Sequence, residues 1–110
     1  MFVRCAYFKG RIKPGLEDDF HSYVEDRMMP LWAQFPGARE VRVLRPVESD
    51  GEGTPLLVVA MRFANRQAIE NALASEVRAR SRELSKGLLD MFEGEVVHAI
   101  FALDELTVRG

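Results

Sequence analysis

Leu56-Leu57-Val58-Val59-Ala60-Met61-Arg62-Phe63 is the stretch on which the fold turns. Its β-branched and aromatic content favours a strand, and strand side chains point alternately to opposite faces. Leu57, Val59, Met61 and Phe63 then form one face and Leu56, Val58 and Ala60 the other, so both are apolar. Such a strand needs cover on two sides. Parity puts Arg62 opposite the face that Phe63 shares with a helix layer. On the N-terminal side, Ser49-Asp50-Gly51-Glu52-Gly53-Thr54-Pro55 is a turn-rich loop. Before it Arg39–Pro46 alternates as another strand, with Val41, Val43 and Arg45 on one side and Arg42 and Leu44 on the other. On the C-terminal side, Asn65 is a good N-cap, with Ala64 and Ile69 placed as a hydrophobic staple. Ile69, Leu73 and Val77, with Ala68 and Ala72, make the buried stripe of a helix. A continuation from Ser81 puts Leu84, Leu88, Met91 and Phe92 on one face, with Gly87 as a weak point and Gly94 as its end. Val96–Leu103 reads as a final strand.

The N-terminal third has the same grammar. Phe2–Arg11 reads as a strand, punctuated by Pro14-Gly15. Glu17, Asp18 and Asp19 suit the positive end of a helix dipole. Leu16, Phe20, Tyr23/Val24, Met28 and Leu31 recur at helical spacing. Pro30 cannot donate to the helical ladder and disfavours helix at Met29, which predicts a break or kink there and a stop at Phe35-Pro36-Gly37. The order is strand, helix, strand, strand, helix, strand. Right-handed crossovers interleave two such units into a ferredoxin-like α+β fold, βαββαβ, a four-stranded antiparallel sheet with both helices on one face. The second face is apolar as well, and burying it against a second copy is the economical solution at about 25 cal/mol per Å². A homodimer through the non-helical face is expected.

Length and composition narrow the classes. The 110 residues fit one domain, 1–110. The chain is 47% hydrophobic and 29% charged, with 15 Lys and Arg against 17 Asp and Glu and a net charge of −2. No basic excess favours nucleic acid. No apolar run approaches the ~20 residues of a membrane-spanning helix, and no secretory signal is visible in the opening residues. Cys5 stands alone, which excludes an intrachain disulfide. A cytoplasmic protein is expected.

The chain resembles the dimeric α+β barrel superfamily, and within it the EthD-like and REDY-like HapK-type proteins. The resemblance spans nearly the whole chain and rests on Lys13-Pro14-Gly15, Phe20-His21-Ser22-Tyr23, Pro30-Leu31-Trp32, Phe35-Pro36-Gly37-Ala38 and Phe92-Glu93-Gly94-Glu95-Val96-Val97-His98. These are packing and turn motifs rather than a catalytic signature. The EthD pattern carries a His where this chain has Met28, so any role of that His is lost here. The resemblance implies two sheets packed face to face around a cavity, and relatives that include cofactor-independent monooxygenases, lactone isomerases, dehalogenases and polyketide cyclases. HapK-type relatives look like accessory proteins of pigment or antibiotic pathways.

Candidate chemistry is sparse. His21 and His98 are the two histidines and lie far apart in the chain. A metal site needs three or four ligands, with a close pair among them, and none is present. No Gly-rich phosphate loop or nucleophile elbow appears, so neither metal nor cofactor is expected. His98 and His21 are the candidates for proton transfer; the plainer alternatives are a hydrogen-bonded strand residue and a solvated helix residue. Tyr7, Trp32, Arg62 and His98 are the candidate ligand-binding residues, with Trp32 as an aromatic wall and Arg62 as a cation facing the barrel. The alternative for Trp32 is a core position, and for Arg62 a strand end reaching water. Arg78, Arg80, Arg82 and Lys86 read as a solvated helix face, and Cys5 as a small core residue.

Two readings follow. One is a small dimeric barrel protein that binds a hydrophobic, aromatic or polyketide-like molecule, as a cofactor-independent oxygenase, isomerase or cyclase. The other is a non-catalytic dimeric binding or accessory protein. The residues serve both equally. An RNA-recognition domain shares the strand order, but its aromatic, basic pattern is absent from Leu57–Phe63. The discriminating feature is a cavity lined by His98 and an Arg, expected on the non-helical face.

Overall fold

The computed structural model describes residues 1–109. Its strands are β1 (Phe2–Ile12), β2 (Glu40–Leu44), β3 (Leu57–Phe63) and β4 (Phe92–Ala102). They form one antiparallel four-stranded sheet in the order β2-β3-β1-β4. The helices are α1 (Glu17–Tyr23), a π-helical turn (Val24–Met28), α2 (Met29–Trp32), α3 (Arg66–Leu73) and α4 (Glu76–Leu89). This is the ferredoxin-like α+β arrangement that the strand and helix order predicts.

Register fixes the two faces. Ala6 pairs with Val59 and with His98, Arg4 with Met61 and Ile100, and Phe8 with Leu57 and Val96. These even-numbered β1 positions therefore share the helix side with Leu57, Val59, Met61 and Phe63. The core lies there: Phe8, Phe20, Val24, Met28, Trp32, Phe35, Ile69, Ala72, Leu88 and Phe92 pack on the buried side of β3. Phe20, Val24, Met28, Leu57 and Leu88 are fully buried. Tyr7, Val58, Ala60, Arg62, Val97, Ala99 and Phe101 occupy the opposite, open face.

The elements depart from the sequence reading at three places. Pro30 does not break the first helix. The Met29 N–H instead donates to the Val24 carbonyl, a five-residue step, and the extra residue in that π turn absorbs the donor that Pro30 lacks before the helix runs on to Trp32. The second helix does break, at Ala74-Ser75, where Ser75 caps α4 by accepting from the Arg78 N–H. The apolar stripe conceals this because its spacing continues across the joint. Gly94 ends no helix. It sits within β4 opposite Gly10 of β1, both at positive φ, and a Cβ at either would overlap backbone atoms of the other strand. Gly87 is not a weak point either: the Tyr23 ring lies where a Cβ would stand, and its hydroxyl donates to the Leu84 carbonyl at 2.6 Å. That contact ties α1 to α4.

Candidate functional site

The helix layer does not seal the sheet. A cleft of about 720 Å³ lies between α4 and the β3-β1-β4 part of the sheet. Its floor is Ala6, Phe8, Val59, Met61 and Val96, and one end is closed by Met28, Trp32 and Phe35. The roof is one side of α4, from Arg78 and Ala79 through Ser81 to Leu89. Small side chains make the space, Ala6 below and Ala79 above. The Phe8 and Trp32 rings meet at 6.4 Å between centroids and Phe8 meets Phe92 at 6.0 Å, so the closed end is an aromatic corner.

The other end is cationic. Arg4 enters from β1, Arg78 and Arg82 from α4, and His98 from β4. Burial pulls the Arg4 guanidinium below its ordinary value, and the charge of Arg78 adds to this. Arg78 is depressed likewise, by burial first and then by Arg82. His98 is held below the usual imidazole value by burial first, then by Arg4 and Arg78. It is therefore a neutral imidazole at pH 7, with one donor and one acceptor. Ser81, buried in the roof, adds a hydroxyl. The one carboxylate in the wall, Glu83, is held by Lys86 at 3.0 Å. Such a site can seat a flat apolar body in the aromatic corner and offer hydrogen bonds and positive charge at its other end.

The sheet divides the residues singled out from sequence. Trp32 and His98 share the cleft. Tyr7 and Arg62 lie on the open face, where Tyr7 meets Phe101 edge-on at 6.5 Å. Burial, helped by the neighbouring Cys5 thiol, raises the Tyr7 phenol. Arg62 reaches Glu40 at 3.1 Å and Glu105 at 3.6 Å. Arg42 also pairs with Glu40, and this bond, ahead of Arg62, holds the Glu40 carboxyl below its usual range. His21 is exposed on α1 with its ring against Phe20, away from the cleft. The cleft lies on the helical side of the sheet, not on the non-helical side where the sequence led us to expect it. Arg4 and Arg78 were not among the expected site residues. The available signal was parity, since Arg4 shares its strand face with Ala6 and Phe8. Among the described residues, no group of three or more His, Cys, Asp or Glu is placed to hold a metal ion, and no helix is long and apolar enough to cross a membrane.

No family model matches the chain, and no curated protein does. Solved structures do. The chain is similar to an EthD family protein from Bacillus halodurans, with a TM-score of 0.74 and 19% identity over 94% of this chain and 100% of that one. It is similar to SnoaB, a cofactor-independent oxygenase from Streptomyces nogalater, with a TM-score of 0.63 and 19% identity over 96% and 94% of the two chains. A dimeric ferredoxin-like protein from Thermobifida fusca gives a TM-score of 0.63 and 13% identity over 93% and 90%. The fold is thus that of dimeric ferredoxin-like proteins, EthD family included, as the sequence resemblance implied.

Proposed function

We propose that the protein works as a homodimer joined through the open sheet face, and that each copy's cleft binds a hydrophobic, aromatic or polyketide-like small molecule. On this reading it acts as a cofactor-independent oxygenase, isomerase or cyclase. The observation that carries the proposal is the cleft itself, large enough for a small molecule, apolar at one end and polar at the other. Trp32 is its aromatic wall and the neutral His98 its proton-transfer group, accepting a proton from an enolisable or phenolic carbon framework. Tyr7 and Arg62 belong instead to the dimer face, where Val97, Phe101 and Leu44 stand exposed at 37%, 47% and 53%. The similarity to a cofactor-independent oxygenase and to a dimeric protein supports both halves of the reading. The buried free thiol of Cys5 agrees with a cytoplasmic setting.

A non-catalytic binding role is the second reading. It is favoured by the lack, among the described residues, of a carboxylate hydrogen-bonded to His98 to orient it. Trp32 is the chain's single tryptophan and is 5% exposed in the cleft wall, so its emission reports occupancy. A hydroxylated naphthoquinone titrated into the protein should quench Trp32 saturably, and unchanged emission would refute the cleft as a ligand site. Oxygen uptake or isomerisation of a bound anthrone or naphthol that disappears in His98→Phe separates enzyme from binder.

A further inference from the structure

The cationic end of the cleft has no counterion of its own. Partial burial is what sets it apart: among the described residues Arg11, Arg27, Arg39, Arg66 and Arg80 are unpaired but exposed to water, whereas the half-buried Arg62 outside the cleft is held by Glu40 at 3.1 Å. Among the described residues, Arg4, Arg78 and Arg82 form no salt bridge and no side-chain hydrogen bond with the protein, although Arg4 and Arg78 are half-buried. Cations removed from water and set against one another are unfavourable unless a negative group joins them. Glu83, the one carboxylate in the wall, pairs with Lys86.

We infer that Arg4, Arg78 and Arg82 form an anion subsite, and that the ligand is an aromatic carboxylate whose acid group lies between these guanidinium groups while its rings fill the corner of Phe8 and Trp32. This rests on the cleft being the ligand site. A carboxylate suits the subsite because a planar guanidinium offers paired N–H donors that match its two oxygens. The neutral His98 on the sheet side and the Ser81 hydroxyl in the roof both line the cleft and can donate to the same group. Arg4 and Phe8 are four residues apart on one face of β1, which sets a span of about 13 Å between charge and aromatic corner. A fused-ring acid fits this span, and a small aliphatic acid would leave the aromatic corner empty.

The test compares anthracene-2-carboxylic acid with its uncharged carboxamide, by calorimetric titration. The acid should bind at least about tenfold more tightly, a preference that falls with added salt. Arg4→Gln and Arg78→Gln should each bring the acid down to the level of the amide while leaving amide binding within about twofold. Amide binding also certifies that a variant is folded, and Arg78, half-exposed in the first turn of α4, can be replaced without touching the core. Equal binding of acid and amide to the unaltered protein, or an acid preference that survives both replacements, would overturn the anion subsite and leave the cleft assignment standing. Failure of both compounds to bind would overturn the two together.

Discussion

The two faces of the sheet handle charge in opposite ways. On the open face the half-buried cation is matched by carboxylates: Arg62 shares Glu40 with Arg42, and Glu105 closes on Arg62. What that face leaves unsatisfied is apolar surface, in Val97, Phe101 and Leu44. On the helical face most apolar groups are packed, Ile100 and Leu89 excepted, and the cations Arg4, Arg78 and Arg82 around the cleft are unpaired among the described residues. A surface that has settled its charges but not its hydrophobic groups suits another copy of the protein. One that has buried most of its hydrophobic groups but left half-buried charges unpaired suits a small anion.

The largest effect should come from placing a charge where the comparison says apolar contact is needed. Val58 pairs with Tyr7 and Leu44 at the centre of the open face. Val58→Asp would bury an unpaired carboxylate in each copy, at a cost of several kcal/mol per charge. Light scattering should move from twice 12.5 kDa to the monomer mass, while the far-ultraviolet circular dichroism is retained. A dimer that survives this change would place the interface elsewhere.

A smaller effect concerns the helical face. Tyr23→Phe removes the hydrogen bond to the Leu84 carbonyl but keeps the ring against Gly87. The loss should be about 1 kcal/mol, or roughly 4–8 °C in melting temperature for a domain near this size. Because this contact ties the first helix to the roof of the cleft, ligand affinity should fall along with stability. An unchanged melting temperature would mean that water replaces the bond without loss.

Much of this was legible in the sequence, and the limits have physical causes. The alternation in Leu56–Phe63 placed Arg62 on the open face correctly, and Asn65 caps α3 through the Ala68 N–H as its type suggests. Alternation reports which side a residue takes, but not how far a helix stands from the sheet. The cleft depends on that distance, and so on the small side chains Ala6 and Ala79 lining its floor and roof. Arg78 reads as part of a solvated helix face because the residues that share its cleft, Arg4 and His98, come from β1 and β4, remote in sequence. The joint at Ser75 was hidden because a 3.6-residue stripe passes through a capped break without losing phase.

The smallest effect, and the sharpest for the cationic end, is the titration of His98. Burial first, then Arg4 and Arg78, hold its pKa below the ordinary 6.5. In the unfolded chain the imidazole returns to that ordinary value. As pH falls through 6.5 the unfolded state therefore takes up a proton that the native state still refuses, and stability declines. The decline is complete once pH has passed below the native pKa; above about pH 7 both states are neutral and the group contributes no pH dependence. The imidazole is only partly shielded, on the exposed edge strand β4, so solvent screens the effect and it should be modest. An NMR titration should give a His98 midpoint below 6.5, and Arg4→Gln should shift it upward by removing one of the charges. His98→Gln should flatten this part of the stability profile between neutral and mildly acidic pH. A midpoint at or above 6.5 in the unaltered protein would mean that a carboxylate, not the arginines, faces this imidazole, and the contrast between the two sheet faces would lose its cationic side.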